Sequence, residues 1–198
     1  IHAAAGGSGS AAIQLAKHAG AVVIAAAGSA EKLRLCRELG ADHTIDYSSD
    51  DVGRVALELT AGKGVDVVFD NVGEAVFEKS LRALAYNGRY LMMGFASNKA
   101  VADEAFVVPR KLALGNCGLF GVMLAYLDDA MAASLKTAMG GNFPPRALGE
   151  EIQASILALY RAGKIRAVVG RQIGFEEIPA GIAAMARRET VGRVIATV

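Results

Sequence analysis

The sequence predicts an α/β fold built around a doubly wound parallel sheet, and three observations carry that expectation. Short apolar runs containing Val and Ile recur between segments whose apolar residues follow helical spacing. The runs are continuously apolar rather than alternating, as suits strands covered on both faces. Each is joined to the next by one helical segment, which implies right-handed crossovers between parallel strands.

Ile1 to Ala4 reads as a strand cut short, because the Gly6–Gly9 loop needs a strand in front of it. With Ile rather than Met first, the sequence is expected to be a piece of a longer protein. Ser10 to His18 is helical, and Gly20 falls where a C-terminal glycine cap belongs. Ala21 to Ala27 is a buried strand, and Ser29 is a good N-cap for a helix reaching about Leu39, closed by Gly40. Thr44 to Tyr47 is a short strand. Asp50 or Asp51 caps a helix in which Val52, Val55, Ala56 and Leu59 make one apolar face. Val65 to Phe69 is the next strand, and Phe77, Ser80, Leu81 and Leu84 repeat the helical spacing. Asn87-Gly88 is a turn leading into a strand from Arg89 to Phe95.

Past residue 97 the rhythm changes. Leu112 to Met123 reads as one more strand-like segment, and Asn142-Phe-Pro-Pro is a break. Ile152, Ile156, Leu159 and Tyr160 mark an amphipathic helix. Val168-Val169, a Phe175–Pro179 turn into a helix and a strand from Val194 to Val198 complete a tail that does not read as a further βαβ unit.

Composition removes several classes of function. Of 198 residues 53% are hydrophobic, and 21 Lys plus Arg against 20 Asp plus Glu leave a net charge of +1. Such a chain is not disordered and has no electrostatic bias toward nucleic acid. Its apolar stretches are broken well before the ~18 residues of a membrane span, and its N-terminus lacks the charge of a signal peptide. Cys36 and Cys117 are too few for a disulfide scaffold or a four-Cys zinc site, and fit buried thiols of a reducing cytoplasm.

The chemistry sits in Ala4-Ala5-Gly6-Gly7-Ser8-Gly9, a G-x-G-x-x-G dinucleotide fingerprint with Ala4 in the first glycine place. Gly6 lets backbone approach a pyrophosphate, and Gly9 lets the helix pack on the strand. The amides of Gly7, Ser8 and Gly9 and the positive end of the helix dipole face the phosphates. These features predict a Rossmann domain.

The end of the second strand selects the dinucleotide. A carboxylate there would hold the ribose 2′-hydroxyl of NAD, but the sequence runs Ala25-Ala26-Ala27-Gly28-Ser29. That small end leaves room for a 2′-phosphate. Ser29 offers a hydroxyl, and Lys32 stands in a first helical turn, where a cation opposes the helix dipole unless an anion is near. Tyr47 closes the same pocket. The competing readings are a solvated surface lysine and a strand-end tyrosine half-packed on the sheet. Together these residues favour NADP. Asn71, after the fourth strand, either reaches a ribose hydroxyl or caps the next helix, and Gly94-Phe95 ends the fifth strand beside it.

His2, His18, His43, Cys36 and Cys117 show no short metal-ligand spacing. Gly6-Gly7-Ser8-Gly9 superficially resembles a nucleophile elbow, but Ser10 takes the last glycine place and no late His follows. No side chain reads as a catalytic acid or base; hydride transfer needs chiefly a well-placed nicotinamide.

The run Ala3 to Lys17 (AAAGGSGSAAIQLAK) resembles the cofactor loop of quinone oxidoreductases, the zinc-independent branch of the medium-chain dehydrogenase/reductase superfamily. The likeness continues through Leu39–His43, Ile45–Tyr47, Gly62–Gly73 and Gly88–Gly94 to Gly192–Ile195. It implies an NADPH-dependent reductase of quinones or α,β-unsaturated carbonyls, with Lys32 and Tyr47 on the 2′-phosphate. It implies a homodimer formed through the Leu114–Met123 edge strand. It also implies an N-terminal GroES-like barrel, absent from this sequence, onto which the tail would pack. The expected division is then residues 1–125 as Rossmann domain, 126–167 as its helical continuation and 168–198 as a segment of the barrel domain. The alternatives are a nucleotide-binding module without turnover and a relative of the zinc-type alcohol dehydrogenases.

Overall fold

In the computed structural model, residues 1–94, 107–123 and 125–197 are described. They divide into two compact units, Ile1–Gly121 with Ala167–Val198, and Val122–Arg166. The first unit alternates α1 (Gly7–His18), β1 (Ile24–Ala27), α2 (Ala30–Glu38), β2 (His43–Asp46), α3 (Val52–Leu59), β3 (Val65–Asp70), α4 (Glu74–Arg82), β4 (Leu84–Met92), α5 (Pro109–Gly115) and β5 (Gly118–Gly121).

Every pairing in the sheets is parallel: β1 with β2, and β4 with both β3 and β5. The Ile1–Ala4 segment joins the two groups. The Ile1 nitrogen donates to the Ile24 carbonyl at 2.9 Å, and the Ala26 amide donates to the Ile1 carbonyl at 2.9 Å. On its other side the His2 amide donates to the Phe69 carbonyl at 2.9 Å. The order is therefore β2, β1, Ile1–Ala4, β3, β4, β5, and the chain runs outward first one way and then the other. Such a reversal opens a crevice at the carboxyl ends of the central strands. Alongside Ile1, the residues Val22, Val65 and Val67 line an apolar groove of about 420 Å³.

Local signals account for most boundaries. Ser29 caps α2 by accepting from the Lys32 amide, and Asp51, rather than Asp50, caps α3 by accepting from Arg54. Gly20 and Gly40 follow their helices with φ of 82° and 102°, a region L side chains avoid. Ala4, Ile13, Ala25, Leu33 and Cys36 bury one face of the sheet, and Val68, Phe77, Leu81 and Tyr90 form a second cluster.

Several expectations are corrected. Gly7–Gly9 are the first turn of α1, not loop, because Gly6 already caps the helix with extended backbone. The strand expected over Thr44–Tyr47 spans His43–Asp46. Leu84 opens β4 instead of extending α4, and Asn87-Gly88 is a bulge inside β4, with Asn87 at φ 59°. The expected strand Leu112–Met123 is split: Pro109 at its N-terminus starts a helix through Gly115, leaving a four-residue β5.

The tail is a βαβ unit after all. Strands β6 (Val169–Gly174) and β7 (Arg193–Thr197) pair in parallel across a 3₁₀ turn and α8 (Ile178–Ala186), on a sheet of their own. Most of its strand residues are exposed, so no apolar run announced them. The second unit holds α6 (Asp129–Met139) and α7 (Arg146–Arg161) around the Asn142–Pro145 break.

His2 is buried, and its Nε2 lies 2.7 Å from the Ser80 hydroxyl. Burial lowers its pKa from 6.5 to about 3. The unfolded chain therefore binds a proton that the folded chain refuses. Stability is expected to decline as pH falls from 6.5 toward 3. Urea midpoints measured across that range check it, and His2→Gln should flatten the slope.

Candidate functional site

The turn ahead of α1 is tight. The Gly6 amide donates back to the Ala3 carbonyl at 3.0 Å, and Ala3 takes the left-handed φ of 46°. Ala4 keeps a negative φ, so the first glycine place of the fingerprint tolerates its methyl. A methyl on Gly9 would overlap the Ala3 carbonyl and stand 2.6 Å from the Ala4 Cα. Glycine is what lets α1 begin directly against the segment before it. As first-turn residues, Gly7, Ser8 and Gly9 turn their amides outward from the helix end without intrahelical acceptors. The Arg193 guanidinium lies over Gly7, 2.7 Å from where a Cβ would stand.

A cleft of about 640 Å³ opens at the carboxyl ends of the strands. Gly6, Lys32, Tyr47, Asn71 and Gly94 all line it. The Tyr47 ring lies on Gly28, 2.6 Å from a Cβ placed there, so the absent side chain seats the ring. Ser29 is engaged as the α2 cap, its oxygen accepting from the Lys32 amide at 3.4 Å. Asn71 donates from Nδ2 to the His2 carbonyl at 3.4 Å, and the N-cap of α4 is Gly73. Asn71 is therefore not the cap of α4. Phe95 lies outside the described residues.

Asp70 underpins this region. It is fully buried, and its carboxylate accepts from the Val72 and Gly73 amides and from the Tyr90 hydroxyl at 2.8 Å. Burial pushes its pKa up while those donors pull it down. Burial and the neighbouring Asp70 charge drive the Tyr90 phenol above its ordinary value.

Sequence reasoning missed Asp50, Lys79, Arg188 and Thr190, which also line the cleft. Arg188 sits at φ 61°, and its carbonyl accepts from the Lys32 ammonium. A pair of arginines near the C-terminus was the available signal, but no periodicity ties residue 188 to residue 32.

With this geometry in place, comparison with known proteins defines the class. Residues 7–138 match the family model described as zinc-binding dehydrogenase. The chain belongs to that family, and within it resembles the quinone oxidoreductase branch of the medium-chain dehydrogenases/reductases. It is 33% identical to the 2-haloacrylate reductase of a Burkholderia species, over 98% of this chain and 54% of that protein. The solved quinone oxidoreductase of Pseudomonas syringae superposes with a TM-score of 0.77 at 30% identity, covering 100% of this chain and 55% of that one. A mycobacterial structure complexed with NADPH superposes with a TM-score of 0.80 at 27% identity, covering 100% and 55%. The chain thus spans about half the length of the curated relatives it matches.

The family description implies zinc. Among the described residues, no three His, Cys, Asp or Glu side chains converge as ligands, so these residues do not fit a zinc centre. Nor is any described helix long and apolar enough to cross a membrane.

Gly9→Ala gains about 1 kcal/mol of helix propensity. The backbone clash outweighs that gain, and a net loss of about 1–3 kcal/mol is expected, as for other overpacked sites. Chemical denaturation of the variant measures it.

Proposed function

We propose that the cleft binds NADPH and that the chain is the cofactor-binding part of a reductase passing hydride to a quinone or an α,β-unsaturated carbonyl. The observation that carries the proposal is the meeting of Lys32 and Tyr47 at one cleft, with the Tyr47 ring seated on Gly28 and no carboxylate at the end of β1. Arg188 lines the same cleft, with its main-chain carbonyl on the Lys32 ammonium. Relatives described as a 2-haloacrylate reductase and a quinone oxidoreductase, and one solved with NADPH, support the substrate class and the cofactor.

Bound NADPH supplies the hydride. The chain's residues bind it and orient it. The first-turn amides of Gly7, Ser8 and Gly9, together with Gly6, receive the pyrophosphate at the positive end of α1. Gly28 and Ser29 keep the end of β1 small and uncharged. Lys32 and Tyr47 take the 2′-phosphate, and the Lys32 ammonium exchanges the Arg188 carbonyl for phosphate oxygens. Asn71 and Gly94 form the nicotinamide end. No acid or base of this chain is assigned to the transfer.

We assign the chain to the cytoplasm, since both cysteines are free thiols. We also infer a homodimer through the Leu114–Met123 edge. Within it β5 pairs only with β4 among the described residues, and Phe120 is exposed on it. Phe120→Lys should then shift sedimentation from dimer to monomer. A wild-type chain that sediments as a monomer removes this part.

Fluorescence titration tests the cofactor. NADPH should bind at least tenfold more tightly than NADH. Lys32→Ala should remove about 1.5–3 kcal/mol from NADPH binding, the range of a charge-assisted hydrogen bond, and leave NADH unaffected. Equal affinities in the wild type would sink the assignment.

A further inference from the structure

The loops that close one part of the cleft converge on a single buried residue. Asn71 and Val72 follow β3, Met93 and Gly94 follow β4, and all four line the cleft. Asp70 holds both loops at once. Its Oδ1 accepts from the Val72 amide at 2.7 Å and from the Gly73 amide at 3.0 Å. Its main-chain carbonyl accepts from the Met93 and Gly94 amides, each at 2.9 Å. The loops also touch directly, since a side chain on Gly94 would run into the Asn71 backbone.

Behind Asp70 a chain of polar contacts returns to the same loop. Asp70 Oδ2 accepts from the Tyr90 hydroxyl at 2.8 Å. The Tyr90 phenol also hydrogen-bonds Ser80, whose hydroxyl lies 2.7 Å from His2 Nε2. The His2 carbonyl accepts from the Asn71 side chain. Tyr90 is fully buried, and its ring packs on Phe77 with centroids 5.0 Å apart. A circuit that begins at Asp70 and ends at the adjacent Asn71 fixes more than the sheet requires, because the β3–β4 ladder already holds both strands. Buried polar groups satisfied in this way specify one geometry.

We propose that Asp70 and Tyr90 are positioning residues for the nicotinamide half of the cofactor, setting the Asn71–Val72 and Met93–Gly94 backbone against which that half lies. The proposal rests on the NADPH reading of the cleft. Neither side chain touches the cofactor. They act through the two loops, while Lys32 and Tyr47 handle the phosphate end independently.

Half-ligands separate this role from a merely structural one. Tyr90→Phe deletes one donor to Asp70 and keeps the ring on Phe77. In the full 198-residue chain it should weaken NADPH about fivefold or more, a modest share of one hydrogen bond to a charged group. Affinity for 2′,5′-ADP, which lacks the nicotinamide half, should stay within about twofold, the scatter expected for independent sites. If Tyr90→Phe does not fold, Asp70→Asn, which keeps the side chain's shape and one acceptor, should show the same split. An equal loss for both ligands, or no loss for either, overturns the proposal. A wild-type chain that binds neither ligand overturns the NADPH reading and this inference with it.

Discussion

The Ala3 carbonyl leaves no space for a side chain at Gly9, and much of the site depends on that contact. It sets how closely α1 approaches the central segment, and so where the amides of Gly7 and Ser8 point. The same segment is hydrogen-bonded to β1 on one side and β3 on the other. The helix end therefore stands where the sheet order reverses, over the crevice between the two halves. A wider separation would move the positive end of the helix away from the cleft that Gly6 lines.

Around that fixed point the cleft is assembled from pieces far apart in sequence. One end combines the first turn of α2, the end of β2 and the loop after α8. The other end combines the loops after β3 and β4, tied by Asp70. The first group is held by a lysine ammonium on a main-chain carbonyl and a ring seated on a glycine. The second is held by buried hydrogen bonds. These differ in their sensitivity to solvent: exposed charge contacts weaken with salt, whereas the Asp70 contacts are sheltered.

The alternating elements were legible because each carries its own local signal. Ser29, Asp51, Gly20 and Gly40 announce helix ends by capping chemistry, β1 is announced by a continuous apolar run and β3 by a run rich in Val. The tight turn ahead of α1 was legible as glycine spacing, though not how short it is, since α1 already begins at Gly7. The α5–β5 split was missed although Pro109 signals a helix start, because the apolar run continues across the break at Asn116. The tail was misread because its strands are exposed and show neither alternation nor burial. Nothing in the sequence marks Asp70, and only the fold brings Tyr90, Ser80 and His2 behind it. Arg188 and Thr190 reach the cleft through tertiary packing alone.

The contact between the Lys32 ammonium and the Arg188 carbonyl spans 156 positions. During synthesis the sheet from Ile1 to β4 emerges long before its partner, and domains fold from their N-terminal parts as these leave the ribosome. Lys32 must then wait, solvated, while the intervening chain is made. The glycine-rich helix end is formed early, and the Lys32 end of the cleft is finished only once residue 188 has been made. The cleft is therefore complete only after translation has passed residue 188.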